Sequence, residues 1–186
     1  MDLAKFFRRK RIITRVINDY FQLNYSEVAV ILIDMQYGFI ATLRNGEEDR
    51  IVPNQISVLR FCKEKNIPVI ILEYFGHDET IKKLANEVKD FENVKIIIKN
   101  RDNGFTDTEL NFHLKSLGAK KLFLMGINAD CCVKKTAKGA IQNGYEIITS
   151  NDVIAGMSYH SDDNSISWYR DNGICVDDIF HFVGAT

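Results

Sequence analysis

From Val28 onward, short runs rich in valine and isoleucine alternate with longer stretches whose apolar residues recur at helical spacing. The runs Val28–Asp34, Val69–Tyr74, Val94–Ile98, Lys121–Gly126, Glu146–Thr149 and the weaker Ile174–Val176 are nearly continuous in apolarity, the pattern of parallel strands covered on both faces. Helical patterns lie between them, near Arg50–Lys65, Glu79–Val88, Asp107–Leu117, Cys132–Asn143 and Asp162–Asp171. Lys65-Asn66-Ile67-Pro68, Gly118 and Gly144 stand where such helices should stop, and Thr106 or Asp107 can cap a helix beginning at Thr108. The alternation predicts an α/β chain folded as a doubly wound, three-layer α/β/α sandwich.

At 186 residues, with no internal repeat or linker-like tract, the chain reads as one domain over residues 26–186 preceded by a helical segment over 1–25. In that segment Ile12, Ile13, Val16, Ile17, Tyr20 and Phe21 repeat at helical spacing, an amphipathic face that would pack on the domain or on a second subunit. Thr14, Arg15, Asn18 and Asp19 interrupt its apolarity, so neither a signal peptide nor a membrane span is expected. The formal net charge of −1 draws the chain to neither nucleic acid nor acidic lipid. Cys62, Cys131, Cys132 and Cys175 show no zinc-ligand spacing and suit a reducing, cytoplasmic setting.

Chemically versatile residues stand at or just after the ends of three strand-like runs. Asp34 ends VAVILID, Lys99 ends VKIIIK, and Cys131-Cys132 follow KLFLMG and open a helix pattern. The carboxyl ends of strands are where an α/β sheet collects its chemistry. Singly, each residue has an ordinary explanation: a capping acid, a lysine snorkelling from a strand end, a small buried thiol. Together they make an activated nucleophile, with a carboxylate to take and return a proton, an ammonium favouring the thiolate, and a thiol at a helix N-terminus. A thiolate so favoured should react with iodoacetamide well below pH 8. Adjacent cysteines leave open which is the nucleophile.

The segments VILIDMQYGF, IIIKNRDNGFTDTEL, LFLMGINADCCVKKTAKGAIQNGYEI and SNDVIAG, spread over Val28 to Val176, resemble the signature stretches of isochorismatase-like cysteine hydrolases. That group holds nicotinamidases, N-carbamoylsarcosine amidases and ureidoacrylate amidases. The resemblance implies a Rossmann-like, mainly parallel six-stranded sheet and an Asp34, Lys99, Cys132 triad. It favours Cys132 over Cys131 because the family nucleophile immediately precedes a valine, here Val133. It further implies a cis peptide between Ile127 and Asn128, an oxyanion hole from the N–H groups of Asn128 and Cys132, and assembly into dimers or tetramers.

The chain departs from nicotinamidases in one respect. Their Asp-x-His pair and further histidine bind a divalent metal, whereas the stretch from Phe39 to Leu72 contains no histidine. No metal or other cofactor is therefore expected, and His113 reads as a surface residue. Expected pocket walls are Gln36, Phe39, Tyr74, Phe75, His77, Phe105 and Asn128, aromatic enough for a small planar substrate, with Glu73 as a possible additional acid. The expected activity is hydrolysis of a C–N bond in a small amide or ureide through a thioester. The competing expectation is a binding or scaffold protein that retains the fold without the reaction.

Overall fold

A computed structural model describes residues 24–156 and 159–183. The amphipathic helix expected over residues 1–25 lies almost wholly outside them. The described chain runs β1 (Val28–Ile33), α1 (Tyr37–Ile40), α2 (Glu47–Lys65), β2 (Val69–Tyr74), α3 (Lys82–Val88), β3 (Val94–Lys99), α4 (Leu110–Ser116), β4 (Lys121–Ile127), α5 (Cys132–Gln142), β5 (Glu146–Ser150), β6 (Ile154–Ala155), α6 (Tyr159–Asn172), β7 (Ile174–Val176) and α7 (Phe180–Val183).

Six strands lie in the order β3-β2-β1-β4-β5-β7, all pairs parallel, and the two-residue β6 adds a seventh beside the end of β4. β6 has too little sequence to carry a period. β1 is buried throughout and β4 nearly so, as continuous apolarity demands of central strands. The edge strand β3 behaves differently. Ile97 and Lys99 are buried while Ile96 and Ile98 are more than half exposed, since among the described residues only one face of this strand is covered.

α2 and α3 pack together over one face of the sheet, and α5 packs on β4 and β5. Right-handed crossovers put α5 on the opposite face, which completes the three layers. The helix expected to start at Thr108 starts at Leu110 instead, with Glu109 at its N-cap and the Leu110 N–H donating to the Thr108 hydroxyl at 3.2 Å. Phe123 of β4 stacks on Phe182 of α7, and Tyr25 donates its hydroxyl proton to the Phe182 carbonyl, closing the amino-terminal end of the core.

The strand order reverses direction at β1. From β1 the chain moves outward through β2 to β3, then crosses back to β4 on the other side and continues to β5. A crevice at the carboxyl ends of β1 and β4 follows from that reversal, and such switch points are where open α/β sheets bind ligands.

Candidate active site

Asp34 and Cys132 stand on the two sides of this crevice, and Lys99 reaches it from β3. Asp34 leaves β1 with φ 54, a left-handed conformation that Asp tolerates better than most residues. Its N–H remains tied to the Leu72 carbonyl at 3.0 Å, so the turn is anchored to β2. The Lys99 ammonium donates to Asp34 Oδ2 at 2.8 Å and to the Arg101 carbonyl at 3.2 Å, and it lies 4.3 Å from the centre of the Tyr74 ring. Both charged side chains are fully buried. Lys99 therefore points inward and does not snorkel to the surface.

Asp34 Oδ1 has no hydrogen-bond partner among the described residues. Burial pushes the Asp34 carboxyl above its usual range, opposed by the charge and hydrogen bond of Lys99. Cys132 is buried at the start of α5, and its thiol is pushed up, first by burial and then by the negative charge of Asp34. This reverses the expected thiolate. The positive charge of Lys99 is already matched by Asp34, so ionising the buried thiol would add an uncompensated negative charge.

The turn between β4 and α5 is shaped by its backbone. The Ile127–Asn128 peptide is cis. The Asn128 carbonyl accepts from the N–H groups of Cys131 and Val133, leaving the N–H groups of Asn128 and Cys132 without an acceptor among the described residues. Just before this turn Gly126 runs against β1 so closely that a Cβ would sit 2.1 Å from the Ile33 carbonyl oxygen.

Of the expected pocket walls, Phe39, Tyr74 and His77 come together. Phe39 stacks on His77 with ring centres 4.1 Å apart, and Tyr74 meets both edge-on. Gln36 is placed differently. Its amide nitrogen donates to the carbonyls of Tyr74, His77 and Asp78, and its oxygen accepts from the Tyr74 N–H at 2.6 Å. With its amide spent on backbone, this fully buried side chain holds the loop after β2 and leaves nothing for a substrate.

Phe105 is half-buried against the core. Its ring faces Tyr145, whose N–H bonds the Ala140 carbonyl beside the last turn of α5, whereas Cys132 stands in the first turn. The chain after Lys99 descends along α5, with the Gly104 N–H donating to Thr136 and Asn103 seated against Gly139. Phe75 is exposed. Glu73 accepts from the N–H and hydroxyl of Thr80, so it holds a loop and supplies no second acid.

Asp102 escaped the sequence reading. Its Oδ1 lies 3.7 Å from Cys132 Sγ, and its Oδ2 pairs with Lys135 at 2.6 Å, an interaction that holds the carboxyl below the usual range. The only hint was its position three residues after Lys99 in a loop rich in polar residues. Asp102, Cys131 and Cys132 are also the residues whose ligand atoms, among those described, gather closely enough to hold a metal ion.

The isochorismatase domain profile matches residues 28–177, spanning all of these groups. The chain belongs to the isochorismatase domain family. This isochorismatase-domain protein is 26% identical over 110 residues to the secreted isochorismatase effector Isc1 of Verticillium dahliae, covering 55% of this chain and 58% of that protein. It is 24% identical over 134 residues to the probable hydrolase YcaC of Escherichia coli, covering 72% of this chain and 64% of that protein. The matched part of the chain thus spans less than two thirds of either relative.

Solved structures share the fold. The nicotinamidase SaPncA of Staphylococcus aureus superposes with a TM-score of 0.75 at 20% identity, covering 82% of this chain and 99% of that chain. The YcaC gene product of E. coli, an octameric hydrolase of unknown specificity, superposes with a TM-score of 0.77 at 20% identity, covering 87% and 79% respectively.

Proposed function

We propose that this protein is a cysteine hydrolase that cleaves a C–N bond of a small amide or ureide through a thioester on Cys132. The observation that carries this reading is the buried Lys99–Asp34 pair, which leaves Asp34 Oδ1 unpartnered in the crevice where Cys132 opens α5. Family membership supports the hydrolase class, and the fold shared with a nicotinamidase supports the C–N bond.

Asp34 takes the Sγ proton as the sulfur attacks the carbonyl carbon, so a neutral thiol is the resting form. The oxyanion receives the N–H groups of Asn128 and Cys132. As the C–N bond breaks, Asp34 passes the proton to the departing nitrogen, leaving a thioester and a neutral amine or ammonia. Water then attacks the thioester while Asp34 accepts one of its protons. The C–S bond breaks, and the proton returns to sulfur. Lys99 keeps Asp34 oriented, and Phe39, Tyr74 and His77 form an aromatic wall for the substrate. A homo-oligomer fits the octameric YcaC neighbour.

A panel of small amides and ureides, assayed for released ammonia or amine, tests the reaction. Turnover by the wild type, an acyl adduct on Cys132 seen by mass spectrometry, and loss of both in a folded Cys132→Ala are the expected results. Undiminished turnover by Cys132→Ala overturns the assignment. An inert wild type across the panel favours the scaffold reading.

A further inference from the structure

We propose that Asp102, Cys131 and Cys132 form a binding site for a thiophilic divalent cation such as Zn2+, and that the bound cation blocks the Cys132 nucleophile. The donor atoms of the three residues all lie within 4.8 Å of one another. Zinc bonds of about 2.3 Å to sulfur and about 2.0–2.2 Å to carboxylate oxygen place tetrahedral ligands about 3.5 Å apart, so a modest contraction closes the site. Two sulfurs and one carboxylate leave the fourth position to water. Thiolates select Zn2+ over Mg2+ or Ca2+.

Local geometry is what brings adjacent sulfurs to one ion. Successive residues of a helix point about 100° apart, but Cys131 precedes α5 with φ −122 and ψ −95, outside helical space. Its side chain therefore joins that of Cys132 beside the same carboxylate. Lys135, one turn into α5, holds Asp102 Oδ2 at 2.6 Å while Oδ1 stays toward Cys132. That is the arrangement of a ligating carboxylate whose second oxygen is fixed by an outer partner. The charges also balance. Each thiol releases its proton to solvent as its sulfur takes the metal, so Zn2+, two thiolates, one carboxylate and the Lys135 ammonium sum to zero. Because Lys135 is more than half exposed, its pair with Asp102 is too weak to keep a cation out.

Cation binding does not depend on the hydrolase reading; only the inhibition rests on it. The test adds Zn2+ or Co2+ alone to the full chain purified with reductant and freed of metal. We expect one Zn2+ per chain in competition with a chromophoric chelator, and thiolate-to-cobalt charge-transfer absorption with Co2+. Cys131→Ser, with one thiolate left, should show clearly weaker absorption and bind Zn2+ at least tenfold more weakly, and Asp102→Asn should also weaken binding. Where turnover is found, Zn2+ should abolish it reversibly on chelation. Cys131→Ser should turn over like the wild type and need at least tenfold more Zn2+ for half-inhibition. Absence of the cobalt–thiolate absorption, or Zn2+ affinity unchanged in both variants, overturns the site even if the enzyme is active. Tight Zn2+ binding that leaves turnover untouched overturns the block. A chain without turnover that still binds Zn2+ through Cys131 upholds the site while the hydrolase reading fails.

Discussion

Lys99 Nζ and Asp34 Oδ2 meet at 2.8 Å with their side chains 0% and 1% exposed, a charge pair sealed between the carboxyl ends of β1 and β3. Neither charge has water to fall back on, so each is tolerable only in the presence of the other. Lys99→Met should therefore destabilise the protein by about 3–5 kcal/mol, the usual consequence of leaving one buried charge unpaired. For a chain of this size each kcal/mol lowers Tm by about 2–4 °C. Asp34→Asn combined with Lys99→Met removes both charges and should recover part of the loss. Thermal unfolding of the three proteins checks this, and an unchanged Tm in Lys99→Met would sink it.

Iodoacetamide labelling should report the same balance of charge. The Cys132 thiol is held up by burial and by Asp34, so alkylation at pH 8 should be slow in the wild type. Asp34→Asn removes the negative charge that opposes ionisation, lowering the thiol pKa and raising the thiolate fraction. That variant should label several-fold faster while losing turnover. Peptide mapping of the adduct on Cys132 measures both rates, and slower labelling of the variant would contradict the arrangement.

The acid side of the pH profile belongs to Asp34. It must be ionised to take the thiol proton, and burial holds its carboxyl above the ordinary value of 3.8. As pH falls, kcat/KM should therefore decline at a higher pH than an exposed aspartate would give. A profile that stays flat down to pH 4 would count against Asp34 as the base.

Gly126→Ala tests the close approach of β4 to β1. The added Cβ would meet the Ile33 backbone oxygen at 2.1 Å, and φ 133 at this position disfavours any side chain. Backbone cannot move aside as a flexible side chain can. A loss of about 3 kcal/mol or more, or failure to fold, is expected, and denaturant unfolding compares the variant with the wild type.

Gln36→Leu removes one acceptor and the donor shared by three carbonyls of the loop after β2. Stability should fall by about 1–3 kcal/mol. Because the same loop carries His77 against Phe39, KM should rise more than kcat falls. Steady-state kinetics separate the two, and a pure loss of kcat would mean that Gln36 touches the reaction itself.

What the chain announced by itself was the parallel sheet and its polar strand ends. Continuous Val and Ile runs have few other ways to be buried, and β2 and β7 occur with the bounds expected. Strand ends shifted by a residue elsewhere because apolarity does not mark where pairing stops. Asp34 and Lys99 stood out because each ends an apolar run, and Cys132 because it opens a helix pattern just after one. The aromatic residues after the strands carried no such signal. Phe39 meets Tyr74 and His77 while Phe105 meets Tyr145, and nothing local distinguishes them.

Tertiary structure alone decided the charges and the partners. Spacing along the chain offers one ammonium to both a carboxylate and a thiol but does not say how its charge is shared; burial beside Asp34 leaves the resting thiol protonated. Asp102 joins Cys131 and Cys132 only because the chain after β3 descends along α5, and Gln36 is a clamp only because its loop folds over it. Burial and pairing are properties of the assembled pocket. Residue order determines which groups arrive there, and packing determines what protonation state and which neighbours they have.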